Sequence, residues 1–160
     1  MHKDALLEKI ITSLTNDLEL LTKAARTAHA AATHEECLPD NKYDTTGLEA
    51  SYIAQGQANR AQEIRQALEH YRKLTLRPFD DTTPIRLTAM VTIEDDDGNY
   101  RQVFLGPHAG GLKLTVGDAE VVVITPESPM GRSLLGKVCG DEIQIGSGQE
   151  RKTFTIVDAA

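Results

Sequence analysis

The strongest constraint on the fold is a heptad-like spacing of apolar residues in the first half of the chain. In the N-terminal segment the apolar positions recur at alternating steps of four and three, through Leu7, Ile11, Leu14, Leu18, Leu21, Ala25, Ala28 and Ala32. A second segment repeats this stepping, through Ala50, Ala54, Gln57, Ala61, Ile64, Leu68 and Tyr71. Such seams are typical of two helices that pack along their length. A helix from Asp4 to Thr33 would be roughly 45 Å long, which is too long for a domain of this size to wrap. We therefore predict a projecting, antiparallel coiled-coil hairpin over residues 1–77.

The segment between the two seams, residues 34–46, is predicted to form the tip of the hairpin. It reads HEECLPDNKYDTT, in which Pro39 and Asp40 favour turns and interrupt the helical periodicity. Thr46 and Glu49 are three residues apart, as in a capping box, and predict the start of the second helix. Because alanines line both seams near this segment, we expect the tip to be thin.

A second module with a different periodicity follows the hairpin. Residues 78–84 predict a short linker, and residues 85–160 predict a small β-rich domain. Ser128 is a candidate N-cap for one short helix through Leu135, which Gly136 would end. The chain is therefore predicted to be an α+β protein. The predicted strands are short, rich in β-branched residues and bounded by turns: Leu87–Ile93, Tyr100–Leu105, Ala119–Thr125, Glu142–Ile145 and Thr153–Val157.

Charge and composition exclude several classes of protein. The formal net charge is -7, and the 24 acidic residues are spread along the chain, which argues against a protein that coats DNA through a basic surface. No apolar run approaches the roughly 18 residues of a membrane span, and the N-terminus lacks the pattern of a signal peptide, so a cytoplasmic protein is expected. Cys37 and Cys139 lie far apart and predict neither a disulfide framework nor a metal knuckle.

The segment Val123–Ile145, VITPESPMGRSLLGKVCGDEIQI, carries the most specific motif of the chain. Its ordered residues closely resemble the signature of the bacterial Gre family of transcript cleavage factors: Ser128, Pro129, Leu134, Leu135, Gly136, Lys137, Gly140, Asp141 and Ile143. Gly47–Ala54 resembles the acidic-tip element of that family, with Tyr52 as its anchor. The resemblance implies a long helical hairpin followed by an FKBP-like domain. Most of the signature also has a structural reading, since its glycines favour turns with positive φ and Asp141 can bond backbone in an Asx turn.

The resemblance also implies a function. Gre factors bind RNA polymerase at the rim of its secondary channel and pass the hairpin down that channel, where acidic tip residues help to hold the second Mg²⁺ of the polymerase. Residue by residue, the family's second tip acid falls on Glu49 and its first on Thr46, which is not acidic. Asp44, two residues earlier, takes that role if the loop carries an insertion relative to the family, which its longer tip permits. Asp44 and Glu49 are therefore the predicted catalytic and metal-binding residues. The predicted partner-binding residues are Ser128, Pro129, Arg132 and Lys137.

On this reading the chain is not an enzyme by itself, because it stimulates hydrolysis of backtracked RNA by the polymerase. It needs no cofactor of its own beyond the Mg²⁺ of the polymerase active centre. Its contact with RNA is indirect, and neither duplex DNA nor a membrane is an expected partner.

Four other interpretations of the function or of single residues stay open at this point. A Gre-like regulator could occupy the same channel without stimulating cleavage, since Thr46 stands where the family has an acid. Glu49 could serve only as a helix-capping residue, because acids are favourable at a helix N-terminus. An FKBP-like fold also suggests a prolyl isomerase, but fold alone is weak support and the module has few aromatic residues. His29, His34 and Cys37 have a spacing that is only weakly typical of a zinc site.

Overall fold

The chain folds into two long helices followed by a mixed sheet that carries one short helix. A computed structural model describes residues 3–33 and 46–160. The helices are α1 (Lys3–Thr33), α2 (Thr46–Lys73) and α3 (Pro129–Leu134), and a 3₁₀ turn spans Gly148–Glu150. The strands are β1 (Met90–Asp95), β2 (Tyr100–Leu105), β3 (Lys113–Val116), β4 (Ala119–Ile124), β5 (Glu142–Ile145) and β6 (Lys152–Ala159). The predicted α+β class is therefore correct.

The chain divides into two compact units. One unit comprises Met1–Ile10 together with Lys73–Ala160, and we call it the sheet module. The other unit comprises Ile11–Arg72 and contains most of α1 and α2. No helix among the described residues is long and apolar enough to cross a membrane.

The helical unit has the buried stripe that its periodicity predicts on α2. Its buried seam residues are Ala54, Ala61, Ile64, Leu68 and Tyr71. The polar seam member Gln57 is half-buried, and its Oε1 has no hydrogen-bond partner. Outside the described part of the chain lie residues 34–45 of the predicted tip and the side chains of four seam alanines, Ala25, Ala28, Ala32 and Ala50. The coiled-coil pairing and the thin tip therefore remain predictions.

The first turns of α1 differ from the predicted seam. Leu6 and Ile10 are fully buried, whereas Leu7 and Ile11 are only half-buried. Leu6 and Ile10 fall in the compact unit that contains the sheet, whereas the heptad pattern considers only a neighbouring helix. Helix α2 also ends at Lys73, before the predicted end of the hairpin at residue 77.

The six strands form one sheet in the order β3-β4-β2-β1-β6-β5. Strands β2 and β4 pair in parallel, with Val103 opposite Val122, and every other pair is antiparallel. The pairing of β1 with β6 shifts register between Thr92 and Ile93. Because β2 and β4 are parallel, the chain must cross over between them, and β3 lies on that crossover at the sheet edge.

One face of the sheet carries the main apolar core of the module. Alternate residues of the strands point into it, including Val91 and Ile93 from β1 and Val103 and Leu105 from β2. Leu134 of α3 is fully buried in the same core, which fixes the short helix on this face. Phe79, Met130, Cys139 and Ile145 are partly buried and pack against the core.

One strand prediction was wrong at its start, and one strand was missed. The predicted strand from Leu87 begins only at Met90, because Thr88 has a positive φ of 77° that interrupts extended backbone. Strand β3 was not predicted, since four residues with only two apolar members give too weak a signal. The positive φ predicted for the signature glycines is confirmed at Gly136 and Gly140. The carboxylate of Asp141 does bond backbone, but its donor is the Val138 N–H three residues earlier, at 2.9 Å, and not the N–H two residues on that an Asx turn uses.

Candidate functional site

Helix α3 and the Ser128-Pro129 step before it form the local framework of the candidate site. Ser128 is the N-cap, and its Oγ accepts a hydrogen bond from the Gly131 N–H at 3.1 Å. The same hydroxyl donates to the carbonyl oxygen of Thr125 at 2.7 Å, so it joins the end of β4 to the helix. Pro129 occupies the first helical position, where its missing N–H costs no hydrogen bond.

The C-terminal end of α3 is held by one local hydrogen bond and by one to a segment far away in sequence. The N–H of Leu135 bonds to the Gly131 carbonyl oxygen at 3.1 Å. Gly136 follows with a φ of 80°, and its N–H donates to the Ile85 carbonyl oxygen at 2.8 Å. A side chain at Gly136 would strain this left-handed conformation, which explains why glycine ends the helix. Residues of the signature therefore fix both ends of this six-residue helix by hydrogen bonds.

A groove of about 720 Å³ runs between α3 and the exposed part of the sheet. We call it the α3 groove. Its volume lies within the range of sites that take a side chain or a small ligand. Apolar side chains of Val103, Val122, Ile124, Met130 and Ile145 line its floor, and the charged side chains at its margin are Arg101, Lys113 and Glu120.

The structure brings some of the predicted partner-binding residues to this groove and not others. Ser128 and Pro129 line it. Arg132 lies exposed on α3 and Lys137 lies exposed just after it, and neither lines the groove. The four residues lie in one continuous stretch of sequence, but only Ser128 and Pro129 line the groove that has the apolar floor.

Sequence reasoning missed the charged margin of the groove. Arg101 and Lys113 come from different strands, and Lys113 lies on the strand that was not predicted. The guanidinium of Arg101 also lies 5.6 Å from the ring centroid of Phe154, a cation–π distance that restrains it. One signal in the sequence could have placed Arg101 beside the apolar floor. Arg101 and the buried Val103 are two residues apart on a strand, and such residues share a face of the sheet.

The predicted acidic site is only partly within the described residues. Glu49 lies exposed in the first turn of α2, where a carboxylate is favourable to the helix dipole. Asp44 lies outside the described residues, so the convergence of the two carboxylates remains a prediction. Leu48 and Tyr52, one helical turn apart, are 52% and 68% exposed. Among residues 3–33 and 46–160, no group of three or more His, Cys, Asp or Glu side chains is placed to hold a metal ion.

Two groups near the linker have perturbed acidities. Hydrogen bonds from the Thr83 hydroxyl and from Thr82 lower the pKa of Asp80 to about 2. Burial raises the pKa of the Cys139 thiol to about 11, and a hydrogen bond and the negative charge of Asp81 act in the same direction. Cys139 is therefore a poor nucleophile at neutral pH.

Comparison with known proteins agrees with the sequence signature. The family described as transcription elongation factor GreA/GreB, C-terminal domain, matches residues 81–160. A solved structure of the transcription factor Gfh1 is 24% identical, with 96% of this chain and 92% of that chain covered and a TM-score of 0.42. Gfh1 of Thermus thermophilus is 19% identical, with 94% of each chain covered and a TM-score of 0.38. A GreA/GreB elongation factor from Nitrosomonas europaea is 17% identical, covering 74% of this chain and 95% of its own, with a TM-score of 0.35.

A search of curated proteins gives no match. The family match, however, spans half of the chain and contains the whole of the capped α3 segment and its groove. The chain belongs to the GreA/GreB family of transcription elongation factors.

Proposed function

We propose that this protein is a Gre-type elongation factor that binds RNA polymerase through its secondary channel and stimulates cleavage of backtracked RNA. The observation that carries the proposal is the family match over the sheet module, whose signature builds the capped α3 segment. An acidic protein with a net charge of -7 acts on RNA more readily through a polymerase than by binding the phosphate backbone itself.

The α3 groove is the proposed docking surface on the sheet module. Its apolar floor suits an apolar side chain of the polymerase, and Arg101 and Lys113 at the margin suit an acidic neighbour of that side chain. Ser128 and Pro129 hold one wall of the groove in place. Arg132 and Lys137 extend the same surface and add positive charge beside it.

The hairpin tip is the proposed effector. Glu49 and Asp44 would share the Mg²⁺ of the polymerase active centre, since carboxylate oxygens are suitable ligands for this hard cation. The exposed position of Glu49 in the first turn of α2 agrees with this role. When bound there, the ion lowers the pKa of its water and so supplies the nucleophile for RNA hydrolysis. The protein itself contributes negative charge and position, and it needs no cofactor of its own.

The decisive experiment is RNA cleavage in a reconstituted, backtracked elongation complex. We expect the protein to accelerate cleavage, and we expect Asp44→Ala and Glu49→Ala each to lose most of that acceleration. Glu19→Ala is the matched control, because Glu19 is an exposed acid in the middle of α1. Undiminished acceleration in both tip variants would remove the acidic tip from the mechanism.

Docking is tested separately by charge reversal at the groove. Lys113→Glu should weaken binding to polymerase about fivefold, which corresponds to about 1 kcal/mol for an exposed ion pair. Lys152→Glu makes the same charge change at an exposed strand position that does not line the groove, and it should leave binding unchanged. Equal weakening by both variants would indicate a general charge effect and would contradict docking through the groove.

A second function, occupancy of the channel without stimulation of cleavage, is favoured by one observation. Thr46, where the family has an acid, is the first residue of α2. In the same assay this regulator would compete with a cleavage factor for polymerase and leave the intrinsic cleavage rate unchanged.

A further inference from the structure

Lys3 connects three segments of the sheet module that are far apart in sequence. Its ammonium donates hydrogen bonds to the backbone carbonyl oxygen of Arg77 and, at 3.0 Å, to that of Thr88. The same ammonium lies 4.9 Å from the ring centroid of Phe79. Because α2 ends at Lys73, Arg77 belongs with the linker in the structure. The first turn of α1 therefore contacts both this linker and the residues that lead into β1.

Thr88 is the point on the sheet side where these contacts meet. It is buried, and its φ of 77° is one that β-branched residues rarely adopt. All of its polar groups are engaged: its N–H donates to the Leu105 carbonyl oxygen at 2.9 Å, its hydroxyl accepts from the Arg77 N–H at 3.0 Å, and its carbonyl oxygen accepts from Lys3. A strained residue of this kind persists only where its surroundings hold it.

The backbone of Arg77 is consequently held from both sides. Thr88 binds its N–H, and Lys3 binds its carbonyl oxygen. The hydrogen bonds of Asp80, by contrast, stay within the linker, because they reach only Thr82 and Thr83. They shape the linker without attaching it to the sheet.

We propose that Lys3, Arg77, Phe79 and Thr88 form a latch that fastens the linker to the sheet module, and that the linker detaches when Lys3 is removed while the sheet stays folded. The side chains of Arg77 and Pro78 are exposed. Of residues 77–79, Phe79 is therefore the one that packs, partly buried, against the core. A segment with so little buried surface opens more easily than the strands beside it.

The surroundings of the Lys3 ammonium indicate that attachment of the linker depends strongly on this one side chain. Burial lowers the pKa of Lys3, and the negative charge of the neighbouring Asp4 acts in the opposite direction. The ammonium has therefore given up part of its hydration and relies on the two carbonyl oxygens and the Phe79 ring. A shallow cavity of about 390 Å³ lies beside it and is lined in part by Arg77, Pro78 and Phe79.

Amide hydrogen exchange of the full-length protein tests the latch without polymerase. In Lys3→Met we expect exchange of the Arg77 N–H to accelerate about tenfold or more, and exchange of the β1 and β2 amides to stay as in the wild type. Lys3→Arg keeps the cation and its donors, and it should restore most of the protection.

Lys9→Met is the matched control for this experiment. Lys9 lies on the same helix and also donates a hydrogen bond to a backbone carbonyl oxygen of the sheet module, that of Thr115. Its removal should leave the Arg77 N–H protected. Unchanged Arg77 exchange in Lys3→Met would overturn the latch, and so would an equal acceleration of the strand amides, because the linker would then open only when the module unfolds.

Discussion

Removal of the Ser128 hydroxyl should weaken the sheet module through one well-defined local contact. Ser128→Ala deletes the N-cap bond from the Gly131 N–H and the bond to the Thr125 carbonyl oxygen. Loss of a serine N-cap costs about 1 kcal/mol. Loss of the second bond adds about 0.5–1 kcal/mol, since the Thr125 oxygen is partly buried and regains only some hydration. We therefore expect the free energy of unfolding to fall by about 1.5–2 kcal/mol.

Urea denaturation followed by circular dichroism measures this change. For a chain of this size, with a slope of about 2 kcal/mol per molar urea, the midpoint should fall by about 0.75–1 M. Ser128→Thr keeps both hydrogen-bonding functions and should recover most of the loss, because threonine is also a favourable N-cap.

Ser133→Ala is the matched control, since it makes the same chemical change within the same helix. The Ser133 hydroxyl donates to the Pro129 carbonyl oxygen at 2.9 Å, a bond four residues back that contributes little to helix stability. Alanine is also the better helix former, so this variant should stay within about 0.5 kcal/mol of the wild type. If Ser128→Ala were no less stable than Ser133→Ala, the cap would not be what holds α3, and the reasoning would be refuted.

Two further predictions follow from the perturbed acidities. The pKa of Asp80 is lowered to about 2, so its hydrogen bonds stabilise the folded chain above about pH 4, and this contribution disappears as the pH falls toward 2. Urea denaturation at several pH values should therefore show Asp80→Asn less stable than the wild type at pH 6 and equal to it near pH 2; a difference independent of pH would contradict the assignment. Since the pKa of Cys139 is raised to about 11, its alkylation by iodoacetamide, in a variant lacking the other cysteine, should be one to two orders of magnitude slower at pH 8 than that of an ordinary thiol. Asp81→Asn should accelerate it, whereas a rate that levels off below pH 9 would exclude the raised pKa.

Local patterns predicted much of the secondary structure. The start of α1 lies within one residue of its predicted position, and the limits of β2 agree with the prediction. Helix α3 is the clearest case, because serine, proline and glycine stand at the positions where a short helix needs a cap, a first residue and an end. Each of these outcomes depends on residues a few positions apart, which a sequence records directly.

The candidate site was predictable only in part, for a physical reason. Ser128 and Pro129 could be assigned because the motif is continuous, whereas Arg101 and Lys113 meet at the groove only through the pairing of different strands. The buried face at the start of α1 was misjudged for a related reason. Leu6 and Ile10 are buried and fall in the compact unit of the sheet, and a heptad pattern reports only on a neighbouring helix.

The sequence by itself determined the helices, most of the strands, the capped α3 segment and the family to which the signature points. The tertiary structure alone decided the strand order, the parallel pairing of β2 with β4, the groove and the contacts of Lys3 with Arg77 and Thr88. The difference is one of range. Hydrogen bonds and side-chain preferences within a few residues follow from local composition, while contacts across 74 or 85 residues depend on how the whole module packs.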